Sequence, residues 1–268
     1  MSDLLNIVIS SEKRKNLLIF LEKESRTWDD IKDALNVTAS GMLPQIRILE
    51  DKGLVIKKGK MYSLTDLGRL IVHYLRPLDM AVTVIEQQKS FWQDHNIEAL
   101  PKDLLVRIGE LKDPQILETS VEESFEPHNQ FLDMILKSAH VAGISPIVHP
   151  VYPKFFLGFA KSGRSVNLIL TKSAYAKIKK EYFDMLAEGL RYPNARLWIC
   201  NEDLKFAFIV TDQYFSMGLF MKNGIFDSKR DLVSSDPSAI RWGEDLFSYY
   251  RERSHQVTPK GTSSRQQE

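Results

Sequence analysis

Apolar positions change their period twice along the first third of the chain. Over "SEKRKNLLIFLEKE", residues 11–24, Leu17, Leu18 and Leu21 share one side of a 3.6-residue turn and predict an amphipathic helix. "TWDDIKDAL" predicts a second helix, with Thr27 as N-cap and Asp30 at the capping-box position. "VTASGMLPQIRILEDKG" predicts a third: Thr38 caps it, Met42, Ile46 and Leu49 recur every three to four residues, and Gly53 stops it. The period then falls to two. "LVIK" and "MYSL", joined by "KGK" with Gly59 at the turn, read as a hairpin. From Thr65 to about His95 the helical period returns, with Pro77 expected to bend or briefly interrupt it.

"NIEALPKDLLVRIGELKDP", residues 96–114, reads as a junction: a short helix after Pro101, then a turn at Asp113-Pro114. Beyond it, strand-like and helical stretches alternate. "QILETS" precedes helical "PHNQFLDMILKSA"; "HVAGISPIV" precedes "YPKFFLGFAKSG"; "SVNLILT" precedes "SAYAKIKKEYFDMLAEGL". Strands near 196–200, 205–211 and 214–221 follow in succession, and Asp236-Pro237 opens a last helix. The tail "QVTPKGTSSRQQE" is polar and expected to be disordered.

Composition narrows the choice of class. The 268 residues are natural for two domains, and 43% hydrophobic residues suffice for buried cores. The net charge of +1 announces no global affinity for nucleic acid, so any binding face must be local. The single Cys200 excludes an internal disulfide framework and a cysteine-built zinc site, and it suits a reducing cytoplasm. The apolar N-terminal stretch is too short for a signal sequence, and no uncharged run reaches the ~18 residues a membrane span needs.

Three short helices followed by a two-stranded wing describe a winged helix-turn-helix. The third helix buries one stripe and leaves Ala39, Ser40, Leu43, Pro44 and Arg47, mostly small, on the other face; with Thr38 and Gln45 they make up the helix's expected DNA-binding set. Such a face can approach base edges in a major groove about 12 Å wide. Lys57, Lys58 and Lys60 put three cations in four positions of the wing, suited to flanking phosphates. Residues 1–70 hold 12 lysines and arginines against 10 acids, a net of +2, so placement and dimerisation must supply affinity that bulk charge does not. The bland alternative is a protein-interaction module with a soluble hairpin.

These residues also carry a resemblance. "GMLPQIRILEDKGLV…YSLTDLGRLIV", then "FWQDHNIEALPKDLLVRIGEL", and later "HPVYPKFFLGFAKSGRSVNLILT" and "FAFIVTDQYFSMGLF" are similar to methanogen winged-helix regulators of the archaeal filament-regulator type. The likeness runs over roughly residues 11–255. It implies a transcription regulator with an N-terminal winged helix and a C-terminal regulatory domain, and leaves the signal undefined.

The strand-helix alternation of the second half could house an enzyme. G-x-x-x-x-G-K-[ST], G-x-G-x-x-G and G-x-S-x-G are all absent. The alternation resembles phospholipase-D-like sensor domains, but the H-x-K pair is missing: His128, His140 and His149 are followed two places on by Gln130, Ala142 and Val151. No catalytic residue, metal ligand or cofactor is expected; His95 reads as a helix-end histidine and Cys200 as a buried thiol. The block "FDSKRDLVSSDPSAIRWGEDLF" supports two readings. In one, His149, Tyr152, Trp242, Arg241 and Asp227 line an effector pocket; in the other, Asp236 caps the last helix and the charges pair at the surface. Tyr152, Phe155, Phe156 and Phe159 read as core more than as a ligand box.

The expected architecture is an α/β two-domain chain. Residues 1–95 form the winged helix with a long connecting helix, 96–114 the junction, 115–255 a mixed-sheet α/β sensor-like domain, and 256–268 the tail. The expected function is sequence-specific binding of double-stranded DNA in the cytoplasm, modulated by a small-molecule or protein effector. The rivals are an α/β enzyme fused to a DNA-targeting module and an effector-independent architectural protein. Leu70, Tyr74, Leu78, Val82 and Ile85, spaced three to four apart, form the seam expected to join a homodimer, with recognition helices about 34 Å apart.

Overall fold

The protein is described from a computed structural model covering residues 3–118 and 129–258, with side chains from 132 onward in the second stretch. It divides into two compact units, Met1–Asp79 and Met80–Glu268. The expected end of the first domain at residue 95 thus moves back to Asp79.

The first unit begins with a helix that periodicity did not announce, α1 (Asp3–Ile9), followed by α2 (Glu12–Phe20), strand β1 (Arg26–Thr27), α3 (Trp28–Leu35) and α4 (Ala39–Asp51). Strands β2 (Val55–Lys58) and β3 (Met61–Leu64) then lead into α5 (Asp66–Gln87). Leu17, Leu18, Ile31, Met42, Ile46 and Leu49, from three helices, form the core without measurable exposure beyond 2%. The caps are those the sequence implies. Thr27 and Asp30 close both halves of a capping box, and the Thr38 side chain accepts the Gly41 N–H. The sheet has the order β1-β3-β2; the two-residue β1 pairs Arg26 with Tyr62 and Thr27 with Met61. In the hairpin Lys58 faces Met61, and Gly59 at φ 60 supplies the positive φ its two-residue turn needs. Gly68 sits where α5 presses on the hairpin base: a Cβ there would stand 2.1 Å from the Leu54 carbonyl oxygen.

α5 is continuous through Pro77, which costs the helix one backbone bond and does not interrupt it. The helix expected to run to His95 ends at Gln87; Gln88 leaves helical geometry and a separate α6 (Lys89–Asp94) follows.

The second unit takes up the segment read as a junction. Phe91 and Trp92 from α6, with Leu104 of α7 (Lys102–Leu105), Ile108 and Leu111, are buried in the same hydrophobic cluster as the large sheet. The sheet draws on β4 (Gln115–Glu118), β5 (His140–Ser145), β6 (Ser165–Thr171), β7 (Ala195–Cys200), β8 (Phe206–Thr211), β9 (Phe215–Leu219), β10 (Arg230–Ser234) and β11 (Ser254–Gln256). The helices are α8 (Asn129–Leu136), α9 (Tyr152–Lys161), α10 (Lys172–Glu181), α11 (Phe183–Gly189) and α12 (Pro237–Arg251). Strand order is β11-β7-β6-β5-β8-β9-β10-β4, with β5, β6 and β7 mutually parallel and the other pairings antiparallel. This is the expected mixed sheet.

Alternation along β6 sorts the two faces. Ile169 turns to the cluster that contains Trp242 and Leu246 of α12, while Val166 and Leu170 turn to clusters built with α9, α10 and α11. The single predicted helix over 173–190 is two, broken at Tyr182, and β10 and β11 were not anticipated. Part of the predicted "QILETS" strand and of the helix from Pro127, His128, and most of the polar tail lie outside the described residues.

Candidate nucleic-acid interface

The candidate surface is built on α4. Its buried stripe, Met42, Ile46 and Leu49, fixes the rotation of the helix, so Ala39, Ser40, Pro44 and Arg47 stand exposed on the other side with Thr38 at the cap. Pro44 lies in the first half of the helix and does not break it. Two members of the expected DNA-binding set are less open than the others. Leu43 is half-buried and packs against the hydrophobic cluster of this unit. Gln45 is half-buried because its Oε1 accepts a 2.6 Å bond from Arg14 Nη1. Arg14 also donates to the Ile7 carbonyl at 2.6 Å and to Ser10 Oγ at 3.1 Å, so one guanidinium ties α1 and α2 to α4.

Lys13 is a cation that sequence reasoning missed. It is exposed, and its ammonium stands 2.8 Å from where a Cβ on Gly41 would be, beside the first turn of α4. The signal was available: Lys13 and Arg14 lie one turn ahead of Leu17 and Leu18, whose burial turns α2 against α4. Helix N-terminal N–H groups attract anions, and a lysine beside them adds a full positive charge.

The hairpin carries Lys57, Lys58 and Lys60, all exposed. The Lys57 ammonium lies 5.1 Å from the Tyr62 ring centroid, a contact that leaves it open to solvent. Among the described residues the ion pairs of this unit use other cations: Lys15 with Asp79, Arg26 with Glu24, Lys52 with Asp3, Arg69 with Asp66 and Arg76 with Glu22. The hairpin lysines therefore remain available to an external anion.

Along α5, the predicted seam is exposed at every position: Leu70 56%, Tyr74 70%, Leu78 57%, Val82 43% and Ile85 41%. Val72, Leu75 and Val84, between them, are buried. A five-residue apolar stripe left to solvent on one helix face is unusual for an isolated chain.

The five-residue effector pocket does not assemble. Trp242 is fully buried, and its Nε1 donates to the Leu104 carbonyl at 3.0 Å, so it anchors α12 over the helical segment after α6. Arg241, next to it on α12, is exposed. Asp227 is buried in an ionic cluster: His95 Nε2 lies 3.2 Å from its Oδ2 and Arg230 Nε donates to the same oxygen at 2.7 Å. Arg230 reaches Asp94 as well, at 2.8 Å. Burial pushes the Asp227 carboxyl up, but the Lys229 N–H and the Arg230 guanidinium outweigh it and hold it below the ordinary carboxylate range. His95 is thus more than a helix-end histidine; its Nδ1 is 2.6 Å from the Phe91 carbonyl oxygen. His149 and Tyr152 do meet, with ring centroids 5.3 Å apart.

Of the five, Tyr152 lines a cavity of about 140 Å³ between the sheet and α9, α10 and α11. Cys200 is buried, as its apolar strand implied. Among the described residues no three His, Cys, Asp or Glu side chains converge as a metal site, and no helix is long and apolar enough to cross a membrane.

Two family models match the chain in order. The N-terminal domain of methanogenesis regulatory protein FilR1 matches residues 2–83, and the middle domain of the same family matches residues 124–253. A curated relative, methanogenesis regulatory protein FilR1 of Methanothrix harundinacea (strain 6Ac), is 26% identical over 255 residues, covering 94% of this chain and 57% of that protein. The chain thus spans little more than half the length of that relative. Among solved structures, the archaeal chromatin protein TrmBL2 is similar at 12% identity and a TM-score of 0.43, covering 96% of this chain and all of that one. NucT from Helicobacter pylori is similar at 14% identity and a TM-score of 0.40, covering 54% of this chain and 99% of that one. Likenesses this distant do not bear on function.

Proposed function

Because the chain belongs to the FilR1 family of regulatory proteins, we propose that it is a DNA-binding transcription regulator whose first unit is a winged helix-turn-helix and whose second unit is regulatory. The observation that carries the reading is the pairing of two features on one small unit. One is the exposed, small-residue face of α4; the other is a hairpin with three exposed cations.

In this reading α4 enters the major groove. Ala39, Ser40 and Pro44 keep the helix slim enough to approach base edges, and Arg47 is the residue long enough to reach guanine O6 and N7 or a phosphate. Gln45, held by Arg14, is a positioning residue that fixes the helix against α2. Lys13 and the N–H groups at the start of α4 suit one phosphate, while Lys57, Lys58 and Lys60 suit phosphates flanking the groove. Phosphate contacts set register and orientation, and Arg47 supplies discrimination.

A homodimer completes the proposal. The exposed stripe from Leu70 to Ile85 is apolar at a spacing suited to a helix-helix seam, and a second copy of α5 fits it. Two recognition helices about 34 Å apart would then read a pseudo-palindrome.

The test is a titration of the full chain against its preferred duplex and against random duplex, with Arg47→Ala beside wild type. The expected result is a loss of about 1–3 kcal/mol on the preferred duplex and little change on random DNA. Unchanged affinity for the preferred duplex would remove α4 as the reading element.

A further inference from the structure

The cavity in the second unit is bounded by Leu168, Leu170 and Leu197 from the strands, Phe156 and Leu157 from α9, and Leu186 from α11. Three residues on its walls, Ala160, Gly189 and Ala195, carry little or no side chain and leave it room. It also has a place in the packing. The hydrophobic cluster under α9 and the cluster under α10 and α11 share only Leu168 among their members, and the void lies between them. Whatever fills it joins two halves of one core.

The chemistry of the walls specifies the occupant. Ser145, Tyr152 and Arg196 are the polar residues lining the cavity. The Ser145 hydroxyl is already engaged, donating to the Ile147 carbonyl at 2.7 Å and accepting from the Ile147 N–H at 3.1 Å. Arg196 is exposed and precedes Leu197 on β7, so alternation turns its side chain to the opposite face of the sheet. Burial holds the Tyr152 hydroxyl well above its ordinary range, so it is neutral. No wall therefore offers a charge, and an ionised ligand would lose its hydration without compensation. An engineered apolar cavity of about 150 Å³ takes a single benzene ring, which sets the scale.

We propose that this cavity is a ligand site for a small uncharged apolar molecule, one ring or a short alkyl chain in size, and that its occupancy is the input to the regulatory unit. The second clause rests on the reading of the chain as a regulator; the first does not.

Toluene is the probe, with benzoate and benzylamine as anionic and cationic counterparts of the same size, applied to the full chain. At ten times its Kd, toluene should raise the melting midpoint by about 3 °C or more, while the charged pair do nothing at equal concentration. A Cβ at Gly189 meets only Leu157 Cδ1, at 3.9 Å, so Gly189→Leu fills the void. It should raise the midpoint without ligand and abolish the toluene response; Leu157→Phe, from the facing wall, should do the same. Leucine methyl NMR follows occupancy directly, whichever filling variant folds better. The site is overturned if toluene leaves wild type unchanged, if both filled variants respond as wild type does, or if benzoate binds as well as toluene. DNA selection measured on the same preparations separates the two readings. Selection without toluene binding removes the site and leaves the regulator, whereas toluene binding without selection does the reverse.

Discussion

Replacing Lys57, Lys58 and Lys60 together by glutamine tests the hairpin as a phosphate clamp. Glutamine keeps hydrogen-bonding capacity while removing three charges from the hairpin, two on β2 and one in the turn between Lys58 and Met61. All three lysines are exposed and, among the described residues, none takes part in an ion pair, so folding should be little affected. Each phosphate contact contributes about 0.9 to the slope of log K against log salt, so three contacts per protomer contribute up to about 2.7. Between about 50 and 200 mM salt, wild type should then lose roughly 40-fold more affinity than the variant. The loss at low salt should be alike for preferred and random duplexes, because phosphates carry no sequence. Fluorescence anisotropy titrations on both duplexes at four salt concentrations measure all of this. An unaltered slope, with the loss confined to the preferred duplex, would refute the clamp and make the hairpin a base reader.

Two further predictions concern assembly and pH. Leu78→Glu/Val82→Glu places two charges in the α5 stripe; light scattering should show wild type dimeric at micromolar concentration and the folded variant monomeric, and a dimeric variant would take this helix out of the interface. Burial, with Asp227 near it, raises the Asp231 carboxyl from its ordinary 3.8 to about 7. Between those values the folded protein keeps a proton that the unfolded chain has released, so stability falls as pH rises through that window. Asp231→Asn should match wild type near pH 4 and exceed it near pH 7.5 in urea melts; parallel pH profiles would contradict the buried acid.

The first unit was largely legible because its signals are local. Thr27 with Asp30, Thr38 with the Gly41 N–H, and Gly59 at its turn are each specified within four residues, and the structure places all of them as the sequence implied. Asp236 and Pro237 open α12 for the same reason. What escaped depends on partners far along the chain. β10 was hidden in a charged block because Asp227 and Arg230 are satisfied by His95 and Asp94, more than 130 residues earlier. Trp242 looked available as a pocket wall among charged neighbours, yet its nitrogen bonds to Leu104 beneath α12. The segment 96–114 reads as a junction by its prolines and turns, and only the sheet it packs on reveals it as core. The apolar stripe on α5 was legible because periodicity reports a face whether or not anything covers it.

The central claim is that the first unit selects a DNA sequence through α4, and it is tested most directly by capture. Fragments of the protein's own genome are incubated with the purified full chain at about 150 mM salt, and the retained DNA is sequenced, for wild type and for Arg47→Ala in parallel. The account predicts one recurrent pseudo-palindromic motif in the wild-type pool, with half-sites about one helical turn apart, and its loss or relaxation at one position in the variant. A wild-type pool with no enriched motif, or the same motif undiminished in the variant, would contradict it.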